Sequence, residues 1–443
     1  MNRQQSPLRL SVIGIGYLGL THAVAMAEFG HEVVGLDTDP EKVARAASGE
    51  TPFFEPGLEP LLRKHVEGGG LRFTTSYAEA AGFGDIHFLC VGTPQLDDGS
   101  ADVSQVIAAA DALAPHLAGQ CLIVGKSTVP VSTARSLMAR IRATAIAREQ
   151  AEVAWNPEFL REGFAVQDSL SPDRLVFGVT TARAAECLRQ VYATPLASGV
   201  PGLFMDLETA ELVKVSANAF LATKISFINA MAEVCEKAGA DVTRLAEALA
   251  HDERIGGRFL APGLGFGGGC LPKDIRAFRS VANELGVRSV ATILDEVDSI
   301  NRRRRTRVVD LARDAAGGSL AGCRIAVLGL AFKPGSDDIR DSPSLEVCAR
   351  LQREGARVTA HDPVASENAA RVQPGIRYAA SVSEAAADAD VLLHLTEWPD
   401  YQAVDPAMLG RVVARRKMID ARGALDEELW RSAGWSVRTL GRA

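Results

Sequence analysis

The chain is 443 residues long, 47% hydrophobic and 23% charged, with a formal net charge of −7. That length exceeds one compact core and implies two or three domains. The acidic balance argues against nucleic acid or an anionic membrane as the main partner, and no run of about 20 uncharged apolar residues offers a membrane span.

In chain order, residues 9–14 read as an apolar strand, 17–29 as a helix, and HEVVGLD as a second strand ending at Asp37. No apolar leader with a cleavage site precedes them, so a cytoplasmic location is expected. Between the first strand and helix stands Gly14-Ile15-Gly16-Tyr17-Leu18-Gly19, and Asp37 follows Gly14 by 23 residues. This is the context a dinucleotide fingerprint requires. Gly14 permits the tight turn, Gly16 the approach of a pyrophosphate, and Gly19 close packing of helix on sheet. Asp37 is placed to accept hydrogen bonds from the adenosine ribose and to repel a 2′-phosphate, so NAD is expected. Lys42 is either a cofactor contact or a surface lysine.

Further strands read at 85–92, 120–127, 152–157 and 173–179, with helical stretches between most of them. The alternation implies an open, mostly parallel α/β sheet. Gly92-Thr93 and Ser127-Thr128 lie just past strand ends, where such sheets bind ligands. Asn156-Pro157-Glu158-Phe159-Leu160-Arg161-Glu162 follows another strand end. Its two carboxylates sit one helical turn apart, suited to acid–base work or to capping.

A helix is expected at about 208–238, more helix after Gly239, and again at 273–286 and 290–316. Such a block is a candidate spine and subunit interface. Lys214 and Asn218 lie one turn apart on it, and an otherwise apolar face suggests a polar pocket. The run Arg302 to Arg305 with Arg307 reads as a solvated helical face rather than a docking patch. Between the helices, GLGFGGGCLPKD places Cys270 after three glycines and before Lys273 and Asp274. A cysteine at a helix start gains thiolate stabilisation from unpaired amides.

The remainder repeats the α/β pattern with strands at 323–332, 357–363, 390–396 and 417–423. Lys333, Arg340 and Arg422 follow strand ends. With Arg254 and Arg258 they imply an anionic substrate, such as a sugar carrying a pyrophosphate. Two Rossmann-like parallel-sheet domains joined by a central helical domain are therefore expected, at 1–203, 204–317 and 318–443. Seven cysteines without CxxC spacing suit a reducing compartment. Eight scattered histidines offer no metal cluster, so no metal is expected.

GxGYLG, EPGLEPLL (55–62), VGTP, KSTVP, NPEFLREG, ELVKVSANAFLATKISFINAM, RIGGRFL, GFGGGCLPKD and AFKPGSDDIRDSP occur in this order between about 9 and 425. Together they resemble the UDP-glucose/GDP-mannose dehydrogenase family. The resemblance implies oxidation of a nucleotide sugar's C6 alcohol to a carboxylate by two successive NAD-dependent steps. It favours UDP-glucose, on SPDRLVFG and the Arg254-Ile255-Gly256 triplet, over GDP-mannose, a UDP-N-acetylhexosamine or a dTDP-sugar. A non-catalytic NAD-sensing scaffold is the alternative from another class.

The resemblance also implies roles. Cys270 is the nucleophile, Lys214 and Asn218 steady the oxyanion, Asp274 assists proton transfer, and Thr128 and Glu162 position a water near the nicotinamide. Tyr17, Leu18, Lys42, Gly92, Thr93, Ser127, Lys273 and Arg340 join the fingerprint around NAD. Glu158, Phe159, Leu160, Arg254, Phe259, Leu260, Gly263, Gly267, Lys333 and Arg422 join Lys214 and Asn218 around the sugar nucleotide. A homodimer or larger homo-oligomer is implied through the central helices, with Arg254 reaching a neighbouring subunit. Two positions depart from the family pattern: Ser132 stands where glycine is common, and Gly269 where serine precedes the cysteine.

Overall fold

Short apolar runs bounded by glycine and polar turns become central strands whose residues are almost all buried, as a sheet covered on both faces demands. The computed structural model describes residues 7–442. It divides into two compact units, 1–217 and 218–443.

The first unit holds strands β1 (Arg9–Ile13), β2 (Glu32–Leu36), β3 (Leu71–Thr74), β4 (Ile86–Leu89), β5 (Cys121–Gly125), β6 (Ala151–Trp155), β7 (Leu175–Gly178) and β8 (Gly202–Met205). Their order is β3-β2-β1-β4-β5-β6-β7-β8. All neighbours are parallel except β6 and β7. The first six strands follow the doubly wound order used for dinucleotide binding, which aligns the loops after β1, β4, β5 and β6 along one sheet end. One core packs Leu10, Val12, Phe88 and Phe177, and a second packs Ile13, Leu89, Ile123 and Trp155.

The second unit begins within the spine helix Leu207–Ala238, close to the expected 208–238. Gly239 stops that helix at a left-handed φ of 73°. Asp241 caps the next one, Val242–Ala250, by accepting from the Thr243 and Arg244 amides. The helices Leu271–Glu284 and Arg288–Ala316 follow. A second sheet, β9 (Arg324–Leu328), β10 (Arg357–His361), β11 (Arg377–Tyr378), β12 (Val391–His394), β13 (Lys417–Asp420) and β14 (Ser436–Thr439), is ordered β11-β10-β9-β12-β13-β14. It repeats the order of the first sheet's first six strands.

Only part of the arginine run is a solvated face: Arg302 and Arg303 are exposed. Arg304 and Arg305 are buried on the helix Arg288–Ala316. Arg304 and Arg307 pair with Glu236, and Arg305 pairs with Glu346 on the helix Pro343–Arg353 and donates to the Phe266 carbonyl. The run thus fastens three elements of the second unit together.

Candidate active site

In the first unit the fingerprint loop is shaped by contact. Gly14 has a φ of 88°, and a Cβ there would lie 2.9 Å from Val91. At Gly19 a Cβ would meet the Gly14 carbonyl oxygen at 1.7 Å. Gly16 is different: a Cβ would meet no protein atom within 4 Å. The protein itself does not require glycine there, whereas a phosphate approaching the backbone would. The helix Tyr17–Glu28 has no side-chain cap and no acidic residue in its first turn, so its leading amides suit an anion. Asp37 is anchored by the Ile15 and Asp39 amides at 3.1 and 3.0 Å, with Lys42 at 3.9 Å. These residues fit a dinucleotide, and Lys42 is brought to Asp37.

Tyr17, in that loop, donates its hydroxyl to the buried Glu55 carboxylate. The same carboxylate accepts from the Gly163 and Ala165 amides, each at 2.7 Å. Burial and then Glu55 push the Tyr17 pKa well above its ordinary value. Glu55 therefore ties the fingerprint loop to the turn that carries the buried Glu162. No local spacing marks Glu55 for this role, because its partners lie 38 and 108 residues away.

Past β4 and β5, Thr93 and Ser127 are buried, and the Ser127 hydroxyl donates to the Val91 carbonyl at 2.6 Å. Gly92 and Thr128 lie in the same pair of loops. Lys126, beside them, is another residue missed from sequence. It is buried, with Nζ 3.1 Å from Glu158 and 3.0 Å from the Asn156 side-chain oxygen. Burial is the largest influence and opposes its charge, but Glu158, Tyr192 and Cys90 together outweigh burial and raise the lysine pKa. Burial likewise opposes the Glu158 carboxylate, yet Lys126 and the Phe159 amide hold it below the usual range. Glu158 is thus a fixed anion shaping the loop. Phe159 is flanked by Arg174, 4.0 Å over its ring, and by Lys214 at 5.4 Å. Leu160 gives its amide to Glu158 at 3.0 Å.

In the second unit Cys270 is exposed and is the N-cap residue of the helix Leu271–Glu284, with Pro272 in the first turn. The Asp274 amide donates to the Cys270 carbonyl at 2.9 Å, confirming one helical turn between them. Asn218 Nδ2 donates to one Asp274 oxygen at 2.6 Å, and Lys273 Nζ lies 2.6 Å from the other. Lys214 stands one turn before Asn218 on the spine helix, as expected. Cys270, Asp274, Asn218 and Lys273 are therefore brought together.

The glycine-rich segment ahead of Cys270 is pinned from two helices. Asn229 accepts the Gly263 amide at 2.9 Å, and Asn301 both accepts from and donates to the Phe266 backbone. A Cβ at Gly267 would lie 2.4 Å from the Asp341 carbonyl oxygen. Leu260 is buried in the helical core, and Phe259 precedes it at a left-handed φ of 65°. Arg422 donates to the Leu395 and Gly265 carbonyls at 2.7 and 3.2 Å and pairs with Glu397. Lys333 lies 5.4 Å over the Phe332 ring. Arg340 pairs with Asp338. Arg254 stands apart, 89% exposed and paired with Asp252. Among the described residues, no group of histidine, cysteine and carboxylate side chains is arranged to hold a metal.

Residues 8–196 match the NAD binding domain of the UDP-glucose/GDP-mannose dehydrogenase family, 208–303 its central domain, and 326–427 its UDP binding domain. A UDP-glucose 6-dehydrogenase of Rhizobium meliloti is 41% identical, covering 98% of this chain and 100% of the relative. One from Pseudomonas aeruginosa is 40% identical, covering 98% of each. The solved structure of a UDP-glucose dehydrogenase from Pyrobaculum islandicum superposes with a TM-score of 0.92 at 38% identity, covering 100% of both chains. A UDP-D-ManNAc dehydrogenase from Pyrococcus horikoshii gives 0.87 at 27%, covering 98% of this chain and 99% of the other.

Proposed function

The chain belongs to the UDP-glucose/GDP-mannose dehydrogenase family, and from that premise we propose that it oxidises UDP-glucose at C6 to UDP-glucuronate. The observation that carries the reading is the placement of Cys270 at a helix N-terminus, one turn from an Asp274 held by Asn218 and Lys273. On this reading residues 1–203 take NAD, 204–317 form the helical domain and 318–443 take the UDP-sugar, a division supported by the matches over 8–196, 208–303 and 326–427.

When bound, NAD would supply the oxidant for both steps, one hydride being lost from the C6 alcohol and one from the thiohemiacetal. Cys270 then has a defined task. Its thiolate adds to the aldehyde carbon, forming a C–S bond and an oxyanion. Lys214 and Asn218 stabilise that oxyanion, Asn218 through the second N–H of the amide whose first N–H engages Asp274. Hydride loss from the thiohemiacetal gives a thioester. Water, positioned by Thr128 and Glu162, adds to the acyl carbon, and the C–S bond breaks to return the thiolate. Asp274 takes the proton of that water through an intervening water.

The backbone from Phe259 to Gly263, with Gly267, Lys333 and Arg422, holds the sugar nucleotide, and Glu158, Phe159 and Leu160 border it. Tyr17, Leu18, Lys42, Gly92, Thr93, Ser127, Lys273 and Arg340 serve the cofactor. On the spine helix Phe220, Phe227 and Val234 recur at seven-residue spacing and are 67%, 48% and 56% exposed. This apolar stripe suits a second copy of the chain, and Arg254 would then serve its neighbour's substrate. Among the described residues no helix is long and apolar enough to cross a membrane. The seven free cysteines suit a cytoplasmic enzyme.

Likeness to the UDP-D-ManNAc dehydrogenase favours a second reading, the same chemistry on a UDP-N-acetylhexosamine. Steady-state kinetics on UDP-glucose, UDP-N-acetylhexosamines, GDP-mannose and a dTDP-sugar separate the two. The highest kcat/KM should fall on UDP-glucose. A higher value on another nucleotide sugar overturns that assignment.

A further inference from the structure

Of the three glycines before Cys270, only Gly268 has a left-handed φ, so the main chain at Gly269 does not itself demand glycine. What a side chain there would meet is Arg340. A Cβ at Gly269 would lie 2.3 Å from the Arg340 Cζ and 2.5 Å from both of its Nη atoms. The guanidinium is therefore seated on the main chain immediately before the cysteine. A frame keeps it there. Asp338 accepts from Arg340 Nε and Nη2 at 2.9 and 2.7 Å. The Gly268 amide donates to the Arg340 carbonyl at 2.9 Å, and a Cβ at Gly268 would meet the Phe332 ring at 2.8 Å.

We propose that residue 269 sets how closely a fixed cation approaches the nucleophile: Gly269 admits the Arg340 guanidinium beside Cys270, and any side chain at 269 displaces it. An arginine stays charged throughout the working pH range, so its approach favours thiolate over thiol. It adds to the favourable field of the helix N-terminus at which Cys270 stands. The substitution of glycine for the serine common in the family is then an exchange, a lost hydroxyl for a nearer cation. Arg340 acts here on the nucleophile as a positioning residue, in addition to its proposed place at the cofactor. The inference rests on the proposed role of Cys270.

The test is the pH dependence of Cys270 alkylation by iodoacetamide in the full-length protein without NAD or sugar nucleotide, followed on the Cys270 peptide by mass spectrometry. Gly269→Ala, Gly269→Ser and Arg340→Met should each raise the midpoint by at least about half a pH unit, or about threefold slower alkylation at pH 7. Arg340→Lys should recover part of the shift. The double variant Gly269→Ala with Arg340→Met should shift no further than either single one. An unmoved midpoint in Arg340→Met, or additive shifts in the double variant, overturns the proposal. Because no turnover is needed, failure here leaves the proposed oxidation standing, and failure of that oxidation leaves this coupling measurable.

Discussion

Asn218 Nδ2 lies 2.6 Å from Asp274 Oδ2 in a setting where both side chains are buried. The other Asp274 oxygen is taken by Lys273. The carboxylate is thereby fixed in direction, and the asparagine amide with it. Asn218→Asp sets a second carboxylate against the first and removes the N–H assigned to the oxyanion. Its kcat should fall roughly hundredfold or more, with KM for UDP-glucose changing far less. Steady-state kinetics read the split; a loss confined to KM contradicts the assignment.

Lys126, buried, pairs at 3.1 Å with Glu158, which is partly buried. Removing the lysine leaves the Glu158 carboxylate without its cation in a largely desolvated setting. Lys126→Met should therefore cost up to about 3 kcal/mol, and Lys126→Met with Glu158→Gln much less than the sum of the single changes. Denaturant unfolding of the four proteins closes the cycle. Additive losses would show that the pair does not act as a unit.

Ser132 adopts a φ of 75°, the left-handed region that disfavours any residue with a Cβ. Its amide and that of Ala134 bond the Glu211 carboxylate, each at 2.7 Å. Burial pushes Glu211 up to about 7 in spite of those bonds. The main-chain bond survives in Ser132→Gly, and the strain does not. A gain of up to about 1 kcal/mol is expected in thermal or denaturant melts. Destabilisation would show that the serine side chain is needed.

Burial pushes His87 down to about 4, and pushes His22 well below its ordinary value with help from Lys126. Both are then neutral in the folded protein at pH values where the unfolded chain takes up protons. The unfolded state binds more protons below about 6.5, so stability is complete above that pH and falls as pH drops toward 4. His87 alone accounts for on the order of 3 kcal/mol across that window. Melts of the wild type and His87→Gln between pH 4 and 7 should differ in slope. Equal slopes would remove His87 as a cause.

The spine helix was legible because a long apolar-rich stretch without breakers ends at Gly239. The central strands were legible as apolar runs before glycine. Strands β3, β8, β11 and β14 were not identified. Each has only two to four residues, and all four sit at a sheet edge where the apolar signal weakens. At the site, Cys270, Asp274, Lys214 and Asn218 stood out through local spacing. Lys126, Glu55, Asn229 and Asn301 act on partners 30 or more residues away, and chain spacing carries no trace of such contacts. Gly269 reads in sequence as a missing hydroxyl, and only folding reveals Arg340 against it.

The central claim is that Cys270 keeps the aldehyde bound between two oxidations. Its most direct test is the number of NADH formed per UDP-glucose consumed at completion, with a carbonyl trap such as hydroxylamine present. A ratio of two, with UDP-glucuronate as the product and no trapped aldehyde, is the expected result. A ratio of one, with the aldehyde recovered as its oxime, would contradict the account.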